Sequence, residues 1–590
     1  MNRRLPIFAA LSVALMLVAP AGAQMKRPPL SPADIDDIAT LLKLEDTRQF
    51  DVAALARIVT SSHPEVRRRA VMSMGRIVST DARPLLAALH DDADPEIVAT
   101  AAWATGQQKD VSAVEWLGAV LNAKTTPPAV AKEAAQALGK IRTGEAAVAL
   151  ARYLAAAPTT AAAAPVVGEA LLSSGRFASP TDPALASGRV VTFGDIAPIV
   201  RWSTAANPEV RWRAAWALFR PRNPEAVPTL LKMSADASPE VRFWAVRGLT
   251  APVVAPSKVP LATAATRLRQ ATTDPDRRVR TEALRALVPQ APIAGQPAAS
   301  YDDDASVAVV LNALKSTDTW LSVSAAEALG RWPDRAAEIA PRLIAASAAD
   351  KPLALRIAAL APMVTLAPDA ARTLAGALGA VDNATAKSAA ATAIRQLDAA
   401  AARAAGTAPA AGRGAGGGAR GGGRGGNAPP ALVARPDAEY RALVTTWIVP
   451  AYNGARAPHL VFETVRGAVD IELNPGDAPF GVEYLVDVVR TGDIVGTEFG
   501  RVVPNFVDQE NAIRPTGRLR DEVNRRGLTS GNLSWASAGL DTGRPGYTVG
   551  STPQPHNEGD FTALGHVVKG LDVVDRIELG DKITGARIVK

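Results

Sequence analysis

The sequence predicts a multidomain fold, in which an all-α solenoid is followed by a smaller strand-rich domain. A helix-start pattern recurs through residues 30–400, while short alternating apolar segments bounded by turn formers follow in residues 437–590. The intervening residues, 401–436, consist mostly of glycine, alanine, arginine and proline. With 590 residues the chain is also too long for one hydrophobic core, which favours several domains.

The composition excludes several kinds of chemistry. The chain contains no cysteine, so it forms no disulfide, thiolate metal site, thiol nucleophile or lipoprotein anchor. Its five histidines include no pair at a metal-ligand spacing, and we expect neither a metal site nor another cofactor. A formal net charge of +7 is small for this length, so we predict no nucleic-acid partner.

Residues 1–23 have the pattern of a secretory signal peptide. A positive start at Asn2-Arg3-Arg4 is followed by an apolar run and by the small residues Ala21-Gly22-Ala23. The apolar run is shorter than the ~20 residues that a membrane-spanning helix needs. We therefore expect residues 1–23 to be removed and the mature protein to be exported to the periplasm or secreted, without a transmembrane anchor.

Helix starts recur between residues 30 and 400. In each, a capping residue precedes a proline and a glutamate, and alanine and leucine follow at helical spacing. Proline at the first helical position loses no needed hydrogen bond, and the acid lies at the positive end of the helix. The clearest copies fall in two pairs 31 residues apart, at Pro64 and Pro95 and at Pro208 and Pro239. Looser copies begin near Pro128, Pro165, Thr319, Pro352 and Ala384.

This organisation resembles the HEAT-repeat family, although the spacing is shorter than the family's roughly 40–47 residues. The resemblance implies helix pairs stacked into a curved solenoid whose concave face binds protein partners. An arginine follows the first buried residue of several repeats: Arg67, Arg211, Arg242 and Arg280. Stacked repeats would align these guanidiniums, either to grip an acidic partner or to form salt bridges between neighbouring turns.

Aromatic residues also recur at matching positions of the repeats. Trp212 and Phe243 share one offset, and Trp103 and Trp216 share another. Such side chains either stack on a bound peptide or pack between the helices.

Residues 401–436 are predicted to form a flexible tether. Glycine, alanine and proline at this density bury too little apolar surface to offset the chain entropy lost on folding. A tether of this kind would let the terminal domain move across the mouth of the solenoid, over roughly 30 Å.

The terminal domain, residues 437–590, is predicted to be rich in strands. Val461–Glu463 and Ala468–Leu473 have the alternation of a hairpin, and Gly481–Thr491 has apolar residues at helical spacing. Further strands are predicted at Glu498–Val503, Gly531–Ala536, Tyr547–Gly550 and Ala563–Val568, with a short helix at Val573–Ile577.

Four blocks of this domain, in their order and spacing, resemble the cyclophilin-type peptidyl-prolyl cis-trans isomerases: VFETVRGAVDIEL, GTEFGRVVPNFVDQ, GNLSWASAGLDTG and PHNEGDFTALGHVVKGLDVVDRI. The resemblance implies a closed antiparallel β-barrel with capping helices. It also implies an isomerase that acts on proline-containing peptides or unfolded proteins. Together with the predicted signal peptide and solenoid, we expect an exported enzyme whose solenoid recruits these clients.

The same resemblance implies the site residues. Arg501 stands where the family's catalytic arginine donates to the prolyl nitrogen of the twisted peptide bond, and Gln509 where a glutamine anchors the substrate backbone. The implied substrate-binding residues are Phe506, Val507, Ala536, Ser537, Ala538, Tyr547, Thr548, His556, Asn557 and Leu564.

Some of these positions depart from the family pattern. Thr548 replaces an aromatic residue, with Tyr547 beside it as a substitute, and Asn557 replaces an apolar one. A second hypothesis is therefore a catalytically weak or inactive cyclophilin-like scaffold or chaperone of the cell envelope. A third is an assembly platform in which the barrel is only a docking module.

Overall fold

The computed structural model describes residues 27–293, 298–405, 434–510, 513, 519–537, 539–543 and 546–589. The predicted signal peptide, residues 406–433 of the predicted tether, and Ala538 lie outside this part of the chain. A search of the described helices finds none with the length and hydropathy to cross a bilayer.

The first part of the described chain consists of helices joined by short turns. The α-helices are α1 (Pro32–Thr47), α2 (Val52–Ile58), α3 (Pro64–Arg76), α4 (Ala82–Ala87), α5 (Pro95–Gln107), α6 (Val114–Asn122), α7 (Pro128–Ile141), α8 (Gly144–Ala156), α9 (Ala164–Ser174), α10 (Ala197–Val200), α11 (Pro208–Phe219), α12 (Val227–Met233), α13 (Pro239–Arg247), α14 (Ala251–Val254), α15 (Leu261–Ala271), α16 (Arg277–Leu287), α17 (Asp304–Ala313), α18 (Thr319–Leu329), α19 (Ala336–Ala346), α20 (Leu353–Leu366), α21 (Pro368–Gly379) and α22 (Ala384–Ala404). Short 3₁₀ turns lie at Val111–Ala113, Ala161–Ala163, Pro183–Ser187, Arg201–Thr204, Pro224–Ala226 and Pro333–Arg335.

The helix starts predicted from the prolines are confirmed. Helices α3, α5, α11 and α13 each begin at the proline of the repeated pattern. In α5 and α11 the capping side chains of Asp94 and Asn207 accept a hydrogen bond, at 2.9 Å each, from the backbone amide two residues later. The looser copies are confirmed as well, since α7, α18 and α22 begin at Pro128, Thr319 and Ala384.

Successive repeats pack side by side to build one continuous layer. This inner row consists of α3, α5, α7, α9, α11, α13, α16, α18, α20 and α22, each in contact with the next. Close approach within the row depends on glycines: a Cβ atom at Gly75 would lie 2.5 Å from Trp103, and one at Gly175 would lie 2.4 Å from Trp216. These tryptophans are therefore packing residues of the stack, as are the buried Trp212 and Phe243.

The repeated arginines form salt bridges between neighbouring turns. Arg211 binds Asp236 through two bonds of 2.8 Å, and Arg242 binds Asp274 in the same way. Arg67 pairs with Asp92, and Arg280 pairs with Asp318. Each arginine thus binds an aspartate at the start of a later repeat, and the four guanidiniums hold the stack together instead of gripping a partner.

The terminal domain is a curled antiparallel sheet with helices around it. Its strands are β1 (His459–Thr464), β2 (Gly467–Leu473), β3 (Phe499–Val503), β4 (Val507–Glu510), β5 (Asn532–Trp535), β6 (Tyr547–Gly550), β7 (Gly565–Lys569) and β8 (Ile583–Val589). Its helices are α23 (Asp437–Leu443), a π-helical turn (Val444–Ile448), α24 (Val449–Tyr452), α25 (Pro479–Thr491), a 3₁₀ turn (Pro555–Asn557) and α26 (Leu571–Val574).

The strands lie in the order β3-β4-β6-β5-β7-β2-β1-β8. The two outer strands of this order meet, because Phe499 N donates to Asp581 O at 2.9 Å and Ile583 N donates to Thr497 O at 3.0 Å. These backbone bonds close the sheet into a barrel, as the resemblance to cyclophilins implied. Strands β4 and β8 had not been predicted from the sequence.

The barrel lies against the inner row and is held near both ends of the solenoid. Next to α1, Arg48 Nε and Nη2 contact the Asp541 carboxylate at 2.8 and 2.6 Å. At the start of α22, Asn383 Nδ2 donates to Gly580 O at 3.0 Å. The prediction that a tethered terminal domain moves across the solenoid mouth does not fit this docking.

An apolar core also joins the two parts. Tyr440 and Leu443 of α23, with Phe480 of α25, belong to the same buried cluster as Ile38 and Leu41 of α1. Burying apolar side chains from both parts in one cluster stabilises their association without any role for the tether.

Candidate active site

Four side chains form a row across the outer face of the barrel. Arg501 on β3 pairs with Gln509 on β4, which pairs with Thr548 on β6, which pairs with Ser534 on β5. Directly opposed residues of neighbouring strands point to the same face of a sheet. The barrel register therefore brings both predicted catalytic residues beside Thr548.

Arg501 is exposed and has no carboxylate partner in the described part of the chain. Its Nη1 donates to Gln509 Oε1 at 3.3 Å, and its guanidinium carbon lies 5.6 Å from the centre of the Phe506 ring. Desolvation lowers the pKa of Arg501 from its usual value, and the guanidinium remains charged at neutral pH. A cation without an acidic partner can donate to a substrate.

Phe506 and His556 form the apolar edge next to Arg501. Their rings stack with centres 5.9 Å apart. The Phe506 carbonyl accepts from Ser551 N and from Gln554 Nε2, at 3.1 Å each, which fixes the backbone beneath the ring. Burial and the nearby positive charges of the solenoid lower the pKa of His556 to about 3, so this imidazole is neutral at physiological pH.

The floor between the strands is polar. Thr548 Oγ1 and Ser534 Oγ lie 2.9 Å apart, and the two residues are 8% and 3% exposed. The hydroxyl pair occupies the part of the face that lies between Gln509 and β5. A proline ring placed there would contact oxygen atoms where an aromatic ring would offer an apolar surface.

Comparisons with known proteins agree with this geometry. A model of the family "Cyclophilin type peptidyl-prolyl cis-trans isomerase/CLD" matches residues 459–590, and a HEAT-repeat model matches residues 52–127, 82–167 and 197–288. A peptidyl-prolyl cis-trans isomerase of Synechococcus elongatus is 31% identical over 137 residues, which are 22% of this chain and 94% of the relative. The chain belongs to the cyclophilin-type peptidyl-prolyl isomerase family.

Other members of the family match over the same part of the chain. A peptidyl-prolyl cis-trans isomerase of Helicobacter pylori is 31% identical over 150 residues, covering 24% of this chain and 92% of the relative. Peptidyl-prolyl cis-trans isomerase B of Bacillus subtilis is 32% identical over 128 residues, covering 20% of this chain and 90% of the relative. The matched part of this chain therefore spans nearly the whole length of each of these relatives.

Two residues predicted to bind substrate lie in the barrel core. Tyr547 is fully buried and its ring centre lies 6.0 Å from that of Phe462. Leu564 is also fully buried, and its amide donates to Leu533 O at 2.8 Å. The placement of Tyr547 follows from strand geometry, because the neighbour of an outward-facing Thr548 must face inward. Neither residue lines the outer face, so Tyr547 does not replace the missing aromatic.

The remaining predicted residues flank the row. Val507 is 3% exposed, beside Phe506 at the start of β4. Ala536 N donates to Gly546 O at 3.1 Å, so this amide is already used within the domain. The half-buried Ser537 has a hydroxyl without a hydrogen-bond partner among the described residues. Asn557 Nδ2 donates to Gln554 Oε1 at 2.9 Å, within its own turn.

The solenoid contributes residues to the edge of the cyclophilin site. Arg285 Nη1 of α16 donates to Pro504 O at 2.7 Å, and Asn505 Nδ2 donates to Glu282 Oε1 at 2.9 Å. Arg176, after α9, donates to Pro555 O at 2.9 Å. Sequence reasoning missed these residues, since each partner is more than 200 positions away and no local pattern marks it.

Proposed function

We propose that this chain catalyses cis-trans isomerisation of X-Pro bonds in protein segments, with Arg501 as the catalytic residue. The observation that carries the proposal is an exposed guanidinium without an acidic partner, held by Gln509 beside the Phe506 ring. These groups combine a hydrogen-bond donor with an adjacent apolar surface. A prolyl peptide bond needs both, because its ring is apolar and its nitrogen accepts only when the amide is twisted.

The proposed mechanism is noncovalent. Rotation about an X-Pro bond is slow because it breaks amide resonance, at a cost of roughly 18–20 kcal/mol. As the bond twists, the prolyl nitrogen becomes pyramidal and gains a lone pair that a planar amide lacks. Donation from Arg501 to this lone pair stabilises the transition state more than either planar state, which increases the rate. Gln509 orients the guanidinium, and the neutral His556 takes no part in proton transfer.

An isomerase assay on the full chain tests the proposal. We expect Arg501→Ala to lower kcat/KM for a proline peptide by roughly 100-fold, the usual cost of removing one transition-state donor. Arg587→Ala is the matched control, because Arg587 lies on β8 and pairs with Glu463 at 2.7 Å, outside the row. A wild-type rate equal to the uncatalysed rate would refute the proposed activity.

The Ser534–Thr548 hydroxyl pair favours a second candidate, a cyclophilin-like scaffold that binds proline segments without turnover. A polar floor weakens the binding of an apolar ring. The same assay separates the two functions when peptide binding is measured in parallel. Binding that persists in Arg501→Ala, together with no turnover by the wild type, would favour the scaffold.

Export and client recruitment complete the proposal. We propose that residues 1–23 direct the chain out of the cytoplasm and are removed, which N-terminal sequencing of the protein from its native cells would test by a start at Gln24. We also propose that the solenoid holds client segments on the part of its inner row next to the catalytic face. The residues Arg176 and Arg285 support this idea, because they place the solenoid against the site.

A further inference from the structure

The barrel meets the solenoid at two places on either side of the catalytic face. On one side, Arg176 contacts Pro555 O, next to His556. On the other side, α16 contacts Pro504 and Asn505, next to Phe506. The stacked Phe506 and His556 rings therefore lie above the stretch of inner row between α9 and α16.

That stretch consists of α11 and α13, because α9, α11, α13 and α16 are consecutive neighbours. Among the residues that the structure describes, no side chain of α11 or α13 forms a hydrogen bond or ion pair with the terminal domain. The barrel is thus held by residues on either side of α11 and α13, with the His556 ring near these two helices.

Two arginines at the ends of these helices lie near His556, and their charges help to lower its pKa. Arg247 also lies 3.6 Å from the Glu282 carboxylate, which accepts from Asn505 beside Phe506. The Arg220 side chain, at the end of α11, is exposed and has no described hydrogen-bond or ion-pair partner. Arg247, the last residue of α13, has 29% of its side chain exposed. Its guanidinium lies over the rings of Phe219 and Trp244, at 5.3 and 5.0 Å, which fixes its position. Solvent therefore reaches both cations.

Positive charge exceeds negative charge around these two arginines. Glu282, the carboxylate nearest Arg247, lies 3.6 Å from it but also pairs with Arg285 at 2.9 Å. Glu558 lies 3.6 Å from Arg176, and burial raises the pKa of Glu558 to about 7, so it is only partly ionised at neutral pH. Arg220 has no described carboxylate of its own, and this region of the surface should attract an anion.

We propose that Arg220 and Arg247 form a subsite for an aspartate or glutamate side chain that flanks the substrate proline. This inference rests on the proposed isomerase function and names its substrate class, acidic proline-containing segments. The chemistry fits because guanidinium groups bind carboxylates through paired, charge-assisted hydrogen bonds.

Binding of matched peptides to the full chain tests the subsite. The probes are fluorescein-labelled octapeptides with one proline flanked on both sides by glutamate, by glutamine or by lysine, and anisotropy gives each Kd. At low ionic strength we expect the glutamate peptide to bind roughly 10-fold more tightly than the glutamine peptide, with lysine weakest. Added salt should remove most of the difference.

The variants are chosen to separate charge from structure. Arg220→Gln changes a side chain without a described partner, and we expect it to reduce the glutamate preference to less than about 3-fold with an unchanged glutamine-peptide Kd. Arg247→Lys retains the charge and should preserve most of the preference, whereas Arg247→Gln should not. Arg152→Gln is the control, since Arg152 is exposed on α8, outside the inner row.

Equal Kd values for the glutamate and glutamine peptides would overturn the subsite, whether or not the chain is an isomerase. A preference that Arg220→Gln leaves unchanged would overturn it as well. Turnover is measured on the same peptides. Tighter binding of the glutamate peptide without any turnover would support the subsite and refute the proposed isomerase function. Equal binding and equal turnover of the two peptides would refute only the subsite.

Discussion

Tyr547 and Thr548 are neighbours in sequence but lie in opposite environments. Thr548 belongs to the outward row with Arg501 and Gln509, while Tyr547 packs on Phe462 inside the barrel. The Tyr547 hydroxyl is buried without a partner among the described residues, and desolvation raises its pKa far above the usual value of 10.0. An orphaned hydroxyl in a core costs stability.

Replacing this tyrosine tests its placement. We expect Tyr547→Phe to raise the free energy of unfolding by about 1 kcal/mol, because the substitution removes an unpartnered polar atom and keeps the ring. Peptide Kd and kcat/KM should not change, since the side chain does not reach the outer face. Denaturant unfolding and the isomerase assay measure the two quantities. A loss of peptide affinity in this variant would instead show that Tyr547 contributes to substrate binding.

Strand β4 explains why part of the barrel was missed from the sequence. Its residues read Val-Asp-Gln-Glu, so polar side chains stand on both faces and no apolar alternation marks a strand. Asp508 and Glu510 nevertheless face inward and are 0% and 2% exposed. The helix starts of the solenoid, by contrast, were predicted because capping residue, proline and acid are local signals.

Glu510 makes stability depend on pH. Burial raises its pKa from 4.5 to about 8, so the folded state holds this proton more tightly than the unfolded chain. The free energy of unfolding should therefore fall as the pH rises from about 4.5 to 8 and then level off with respect to this group. Asp521 and Glu522, with pKa values raised by burial to about 7 and about 8, act in the same direction.

We expect Glu510→Gln to flatten this dependence. The amide cannot ionise, so the variant should have a higher Tm than the wild type at pH 8.5 and a similar Tm at pH 5. Calorimetry across this range measures the difference. Glu463→Gln is the control, because Glu463 is exposed and pairs with Arg587 on the surface. A wild-type slope unchanged by Glu510→Gln would show that this carboxyl ionises normally in the folded state.

The docking of the barrel on the solenoid could not be predicted from the sequence. The arginine pattern indicated salt bridges between repeats because partners such as Arg211 and Asp236 are 25 positions apart. Arg48 and Asp541 are 493 positions apart, and nothing in either local sequence marks the pair. The site residues of the barrel were found through a resemblance, but Arg220 and Arg247 have no counterpart in that resemblance.

The docking predicts that the covalent connection is dispensable once the protein has folded. A protease site inserted within residues 406–433 should allow complete cleavage of the full chain, after which the two fragments should elute together in size-exclusion chromatography. The reason is that the shared apolar cluster, the Arg48–Asp541 ion pair and the Asn383 hydrogen bond all remain intact. The fragments should separate in denaturant. Separation of the unmodified fragments in dilute buffer would show that the tether alone joins them.

A stack of helical repeats is elastic, because each repeat contacts only its neighbours. Here the barrel contacts both Arg48 near one end of the stack and Asn383 near the other, so it bridges the two ends of the curved solenoid. Opening the curve of the solenoid would therefore strain these two attachments. Any change in the curvature of the repeats is thus transmitted to the barrel.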